Sequence, residues 1–348
     1  MEYAGAGHDR ILYLARADVQ AICEELDPLA IVEEVFRLYV RGEAILPGEA
    51  YLAWRNNRGE AVRSLNMPGY LGGSNRTAGT KIINSNPANP SRGLVRGSGV
   101  TLLFDPETTR IQCIMEGAYI SALRTAAVSM LALKLLAHGS VHSLCLIGTG
   151  VIGRAHLELA RRTFPALERV VLFDLNPASA EEAANYLRHK PGHPLQIEVA
   201  ASAMSAVRAT HVVIAATTVT SGYIPYDWLR PGTVAINVSL DDFLPDVFLK
   251  ASLLFVDNWN LVQADSHRLL GRLHREGKIA APEQMPPQHG RKVDGEIADL
   301  LLGRHPGRRS TEDMILVNPF GLSLEDLGFA ARIFEAARQK GRGQYLDV

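Results

Sequence analysis

Residues 143–164 read SLCLIGTGVIGRAHLELARRTF, and this stretch decides the fold class. Its first five residues form a short apolar run of the length a buried strand needs. GTGVIG follows at 148–153, and RAHLELARRTF then repeats apolar residues at helical spacing. A strand, a glycine-punctuated turn and an amphipathic helix in direct succession make the first βα unit of a dinucleotide-binding domain. Gly148 permits the tight turn, Gly150 lets the backbone approach a pyrophosphate, and Gly153 allows the helix to pack close to the strand. The helix N-terminus directs free N–H groups and its positive dipole end at the phosphates, so Thr149, Val151 and Ile152 belong to the same anion-binding loop. RVVLFD at 169–174 is the next strand and ends in Asp174, 21 residues past Gly153. A carboxylate there accepts hydrogen bonds from the ribose hydroxyls and repels a 2′-phosphate, which predicts NAD as cofactor rather than NADP. Arg162 and Arg169 lie near it in sequence.

Working outward toward the C-terminus, the rhythm stays strand–helix–strand. IEVAAS (197–202), HVVIAATT (211–218), TVAINVS (233–239) and LLFVDN (253–258) read as further buried parallel strands. The expectation is a Rossmann-type doubly wound parallel sheet over 131–312. Ligands of such sheets sit outside the carboxyl ends of the strands, which nominates Thr217, Thr218 and Val219 after one strand and Val238 and Ser239 after another. Residues 282–312 are rich in Pro, Gly and Arg and read as loop, with GEIADLLLG as a short helix inside it.

Toward the N-terminus the texture differs. ILYL opens a strand, and a helix follows, with Asp27-Pro28 as its cap and first position and Ile31, Val35, Leu38 and Tyr39 on its apolar face. From 49 to 115, short strand-like runs alternate with Gly, Pro and Asn turns, the pattern of a mostly antiparallel sheet. In KIINSNPANP (81–90), Lys81 opens a β-type run that meets a rigid polar turn. A long helix over roughly 117–137 comes next. A final helix, about 323–340, has no strand to follow and is expected to pack back on this part. The chain thus divides into an α+β domain, 1–130 completed by 313–348, and the inserted α/β domain, 131–312.

The chain has 348 residues, 47% hydrophobic and 21% charged, with a formal net charge of -1. No block of like charge marks a nucleic-acid or membrane surface. The N-terminal stretch lacks the basic start and apolar core of a signal peptide, and 126–137, the most apolar helical candidate, is too short to span a bilayer and contains Lys134. Cys23, Cys113 and Cys145 are few and widely spaced, a reduced, cytoplasmic pattern. His138 with His142 and His189 with His193 have metal-like spacing, but no acid or cysteine completes a set, so no metal is expected. A nucleophile elbow is also missing.

KIINSNPANPSRG (81–93), MEGAYISALRTAAVS (115–129) and the GTGVIG domain together resemble the ornithine cyclodeaminase/μ-crystallin family in order and spacing, over almost the whole chain. RSLNMP, GSGVTLLFDPET, YIPYDWL, VFLKA, VDNW, EGKI and ILVNPFGLSLEDL are similar to one branch of it, which acts on a conjugate of glutamate and 2,3-diaminopropionate. The resemblance implies that the first domain binds an amino-acid substrate and forms a homodimer while the middle domain binds NAD. It implies an oxidation at the glutamate Cα, giving an imine that water hydrolyses to 2-oxoglutarate and L-2,3-diaminopropionate. Lys81 matches the family's active-site lysine. Like charge and desolvation lower a lysine's pKa, so it can serve as a base; alternatively it stays charged and holds a carboxylate. Arg124 matches the arginine that grips a substrate carboxylate, with a planar fork suited to the task. Thr125 reaches toward the pyrophosphate. Arg63 and Arg96 are further cations for a substrate with three carboxylates, and Glu116 orients Lys81 or the substrate amine. Asp241 lies where the cyclodeaminases place an amine-handling aspartate. In the diaminopropionate branch the next position, Asp242, carries the acid. Having both leaves open which one faces the nicotinamide and keeps an ornithine cyclodeaminase as an alternative; a μ-crystallin-like ketimine reductase or binding protein is a further one.

Overall fold

The computed structural model describes residues 10–190 and 192–347. The reading of the extreme N-terminus for a signal peptide begins on residues 1–9, which lie outside the described residues. The chain forms two compact units, residues 1–124 with 322–348, and residues 125–321. The expected boundaries at 130 and 313 therefore move. Ile315–Asn318 is a strand of the second unit's sheet, which carries that unit on to residue 321, and the helix Ala118–Leu136 contains the other boundary.

In the first unit, one sheet runs in the order Gln344–Asp347, Arg10–Leu14, Ile111–Glu116, Gly97–Phe104, Thr77–Ser85, Ala61–Leu71, Ala44–Ile45, with Ala50–Arg55 also paired to Ala61–Leu71. Pairing is antiparallel except between Arg10–Leu14 and Ile111–Glu116. Lys81 lies in the middle of Thr77–Ser85 instead of at a strand end, because Ile82 to Ser85 continue the ladder against Gly97 to Val100. The polar turn begins only at Asn86. A strand does follow the last helix: Gln344–Asp347 pairs with Arg10–Leu14. Its four residues are all exposed, so it lacks the apolar alternation that would mark it in the sequence.

Asp27 caps the helix Pro28–Val40 by accepting from the N–H groups of Leu29 and Ala30 at 3.0 and 3.2 Å. A separate helix, Arg16–Cys23, precedes it, so the single helix expected there is two. The helix Ser323–Lys340 covers the sheet face that carries residues 69 and 79. Gly79 is required there, since a Cβ on it would stand 2.8 Å from Leu327 and 2.3 Å from the carbonyl of Leu102, and a Cβ on Gly69 would press on Ser323, Leu324 and Leu327 at 3.0–3.1 Å. The same helix meets Pro28–Val40 at Gly328, where a Cβ would come within 2.6 Å of Val35. Each buried Leu, Val or Ile of this layer contributes about 1.5–3 kcal/mol.

The second unit is built on eight parallel strands in the order Gln196–Val199, Arg169–Phe173, Ser143–Ile147, Val212–Ala215, Val234–Asn237, Ile315–Asn318, Leu253–Val256, Gly295–Glu296. Four of them, Val212–Ala215, Val234–Asn237, Ile315–Asn318 and Leu253–Val256, are buried along their whole length, as the centre of a sheet covered on both faces must be. Successive strands run outward to one side of Ser143–Ile147 and then to the other, so the order reverses between it and Val212–Ala215. The helix Ala118–Leu136 is long and apolar enough to cross a membrane, longer than the 126–137 segment considered from sequence. However, 72% of its apolar window is buried in the fold, which makes it a core helix.

Candidate functional site

Two clusters of chemistry-bearing residues are present, one in each unit. The first is centred on Lys81. Its neighbours across the ladder are Met67 and Thr101, so all three project from one sheet face. Lys81 is 1% exposed. Its Nζ donates to Asp326 Oδ2 at 2.7 Å and to Ser121 Oγ at 3.4 Å. Ser121 and Arg124 are three residues apart on the helix Ala118–Leu136, which puts both on one side of it. Arg124 pairs through NH1 with Glu325 Oε2 at 2.8 Å and through Nε with Asp326 Oδ2 at 3.3 Å. Glu325 and Asp326 are fully buried in the first turn of Ser323–Lys340, where the helix dipole favours negative charge. Burial and the neighbouring Arg124 charge lower the Lys81 pKa, and Asp326 works against them.

The acid paired with Lys81 is thus Asp326 rather than Glu116. Glu116 accepts from the N–H groups of Ala118 and Tyr119 at 3.2 and 3.0 Å and so caps the helix that carries Arg124. Sequence reasoning missed Glu325 and Asp326. The available signal was two adjacent carboxylates inside the apolar run LSLEDLGFAA. Arg63 shares the Lys81 face: it pairs with Ser85, four residues along the same strand, roughly 13 Å away. It is half-buried and makes no ion pair among the described residues. Arg96 is half-buried just ahead of the strand Gly97–Phe104, and its carbonyl accepts from Asn86. The loop between them is pinned by Glu60, which receives Arg92 at 2.7 and 2.9 Å and both Asn56 and Asn86 at 2.9 Å. These donors hold the Glu60 carboxyl down at about 2.

The second cluster lies at the carboxyl ends of four adjacent strands, Arg169–Phe173, Ser143–Ile147, Val212–Ala215 and Val234–Asn237. Gly148 has φ +89, and a Cβ there would strike the carbonyl of Ala216 at 2.6 Å. A Cβ on Gly153 would come 2.1 Å from the Gly148 carbonyl, whereas one on Gly150 would meet nothing within 4 Å. The helix Val151–Thr163 has no side-chain cap, and its first residues, Val151 and Ile152, are exposed. Its first-turn amides are therefore open to an anion. Asp174 Oδ2 accepts from the Thr149 amide at 2.8 Å and hydroxyl at 3.0 Å, and Oδ1 from the Asn176 amide at 2.9 Å. Arg169, at the far end of the strand from Asp174, is committed to Glu198 at 2.7 Å, and Arg162 is exposed on the helix.

Thr217 donates to the buried Asp242 at 2.6 Å, and the Val219 amide donates to the Thr217 hydroxyl at 3.2 Å. Thr218 beside them is exposed. The amides of Val238 and Ser239 both bond the Ala215 carbonyl, tying the two strand ends together. Burial pushes the Asp242 carboxyl up to about 6. Asp241 instead accepts from the Leu269 amide at 3.0 Å, at the start of another helix. Leu240, just before the pair, has φ +78, a strained conformation for a branched side chain that re-aims the chain there. Thr125 is tied to the glycine loop by residues that sequence reasoning passed over. Its carbonyl lies 3.1 Å from Ser129 Oγ, Ser129 Oγ donates to His156 Nε2 at 2.9 Å, and His156 Nδ1 donates to the Ile152 carbonyl at 2.7 Å. Burial lowers the His156 pKa to about 4, so the ring is neutral.

The sequence model of the ornithine cyclodeaminase/mu-crystallin family matches residues 11–341. An N-((2S)-2-amino-2-carboxyethyl)-L-glutamate dehydrogenase of Staphylococcus aureus is 32% identical over 97% of this chain and 98% of its own. Among solved structures, that of CmnK superposes with a TM-score of 0.89 at 38% identity, covering 98% of this chain and 99% of the other. An archaeal alanine dehydrogenase dimer with bound NAD gives 0.80 at 25% identity, with 97% and 99% covered.

Proposed function

This chain belongs to the ornithine cyclodeaminase/mu-crystallin family, and on that premise we propose that it is the NAD-dependent dehydrogenase of N-(2-amino-2-carboxyethyl)-L-glutamate. The observation that carries this reading is the end-to-end likeness to the Staphylococcus aureus dehydrogenase, 32% identical over 97% of the chain. The reaction takes conjugate, NAD and water to 2-oxoglutarate, L-2,3-diaminopropionate, NADH and a proton. Bound NAD supplies the hydride acceptor. The open first-turn amides at 151–153 and Gly150 hold its pyrophosphate, and Asp174 takes the ribose hydroxyls and disfavours a 2′-phosphate. Thr125, Thr218, Val238 and Ser239 complete the cofactor's surroundings.

Lys81 removes the proton from the substrate's secondary amine as hydride leaves the glutamate Cα, so the C=N bond can form. Water adds to that carbon, and the C–N bond breaks with the nitrogen leaving as the amine of diaminopropionate. Arg63, which makes no ion pair among the described residues, and Arg96 hold substrate carboxylates. Arg124 contributes through its charge while its fork is engaged with Glu325 and Asp326. Asp242, beside Thr217, is the acid on the cofactor's side. The domain that holds Lys81 binds substrate, and the other binds NAD.

Mixing the protein with NAD and the conjugate is expected to give NADH, 2-oxoglutarate and diaminopropionate in equal amounts, with much slower turnover on NADP. No NADH from the conjugate, together with proline and ammonia from ornithine, would make the chain a cyclodeaminase. Tight NAD binding without turnover of either would make it a binding protein.

We also propose a homodimer, acting in the cytoplasm. The edge strand Ala50–Arg55 is exposed at every residue, yet it presents Tyr51, Leu52 and Trp54, with Ile45 on Ala44–Ile45, which pairs with the same strand Ala61–Leu71. An apolar sheet edge of this kind needs a cover. Light scattering should report twice the chain mass, and the mass of a single chain at micromolar protein would rule the dimer out.

A further inference from the structure

We propose that Asp326 is a positioning residue that sets the proton affinity of Lys81 by pairing directly with its ammonium form inside the buried Lys81–Arg124–Glu325 cluster. This inference rests on the reading of Lys81 as the base. A base must accept a proton and give it up again without its surroundings collapsing, and the geometry of this cluster allows both. Asp326 Oδ2 is 2.7 Å from Lys81 Nζ and also 3.3 Å from Arg124 Nε. When Lys81 is charged, two cations face two anions. When Lys81 loses its proton, the shared oxygen keeps the Arg124 charge within reach, so Asp326 is not stranded as a lone buried anion, a state that is otherwise costly.

The groups that face Lys81 are few. The helix Ser323–Lys340 supplies Asp326 and Glu325, and the helix Ala118–Leu136 supplies Arg124 and the Ser121 hydroxyl. The flanking strands supply Met67 and Thr101, neither of which titrates. Glu325 is matched by Arg124 at 2.8 Å. Asp326 is therefore the group whose charge most directly opposes the combined effect of burial and Arg124 on the lysine. Without it, desolvation and like charge would leave Lys81 neutral but too weak a base for an amine proton.

The sign of the effect follows. Removing the Asp326 charge stabilises neutral Lys81, so its titration moves to lower pH. The test is the side-chain nitrogen resonance of Lys81 in the full-length protein, assigned by its loss in Lys81→Met and followed against pH. Alongside it, kcat/KM for the conjugate is measured over the same range. Asp326→Asn should move the lysine midpoint, and the acid limb of kcat/KM with it, down by about 1–3 pH units. Asp326→Glu, which keeps the charge, should leave the midpoint close to that of wild type while lowering the plateau rate. A midpoint unmoved in Asp326→Asn would overturn the inference and leave the aspartate a structural role alone. Should that variant not fold, wild type decides by itself: a Lys81 that is neutral at every pH where the protein is folded would mean that Asp326 holds no ammonium. If the conjugate is not oxidised at all, the functional reading fails, and the resonance still decides the role of Asp326.

Discussion

Lys81→Ala is expected to lower kcat on the conjugate by roughly 10²–10⁴-fold, the usual contribution of a positioned general base, while leaving NADH affinity unchanged. The reason lies in where the residue sits. Its Nζ is buried against Asp326 and Ser121 within the unit formed by residues 1–124 and 322–348, whereas the glycine loop belongs to residues 125–321. Truncation also leaves Asp326 with Arg124 as its remaining cation. Breaking a buried pair costs about 3–5 kcal/mol when nothing replaces it, and the Arg124 contact at 3.3 Å offsets part of that. The variant should fold with a lower melting temperature, so kinetics belong well below it. Steady-state rates paired with NADH fluorescence titration check the expectation. An unchanged kcat would remove Lys81 from the chemistry. Weakened NADH binding would move it to the cofactor's side.

Gly153→Ala should cost NADH affinity and stability together, and Gly150→Ala affinity alone. A methyl group at 153 would sit 2.1 Å from the Gly148 carbonyl oxygen, a backbone atom that cannot swing aside, and 3.1 Å from Leu146 Cδ2. Helix and strand must separate, which displaces the open amides from the phosphates. Affinity is expected to fall roughly 100-fold, about 2.7 kcal/mol, with a further 1–3 kcal/mol, roughly, of overpacking strain in the fold. At 150 the added methyl meets no protein atom within 4 Å. The fold should keep its melting temperature, while the space a pyrophosphate needs is lost. Thermal melts and NADH titrations of the two variants make the comparison. Equal affinity in Gly150→Ala and wild type would mean that the cofactor does not approach the loop there.

Much of the architecture is local in origin and was legible for that reason. The strand, glycine turn and helix at 143–164 are consecutive, and their periodicities and glycine positions lie within a few turns of chain. Asp174 follows at a distance set by one helix and one strand. The strands between 169 and 258 announce themselves as apolar runs. Where burial does not show as a pattern, the reading was incomplete. Ile315–Asn318 is four residues long and follows a loop, yet it fills the place between Val234–Asn237 and Leu253–Val256. Gln344–Asp347 is exposed throughout and is a strand only because Arg10–Leu14 offers it an edge.

The sequence by itself determined the α/β class, the glycine turn at 148–153 between strand and helix, and the family, because each rests on residues close together in the chain or on a pattern spread along it. It also nominated Lys81 and Arg124. Only the tertiary structure decided what those two face. Lys81 meets Asp326 across 245 positions of chain, and Arg124 meets Glu325 across 201. No local spacing encodes such a pairing, because it follows from packing the last helix onto the sheet face that Gly69 and Gly79 leave open. The two aspartates at 241 and 242 separate for a similar reason. They are adjacent in sequence, but the strained turn at Leu240 sends one to the start of the helix Leu269–Arg275 and the other to Thr217. Charge, burial and proton affinity are properties of those surroundings, so they arise only when the chain has closed on itself.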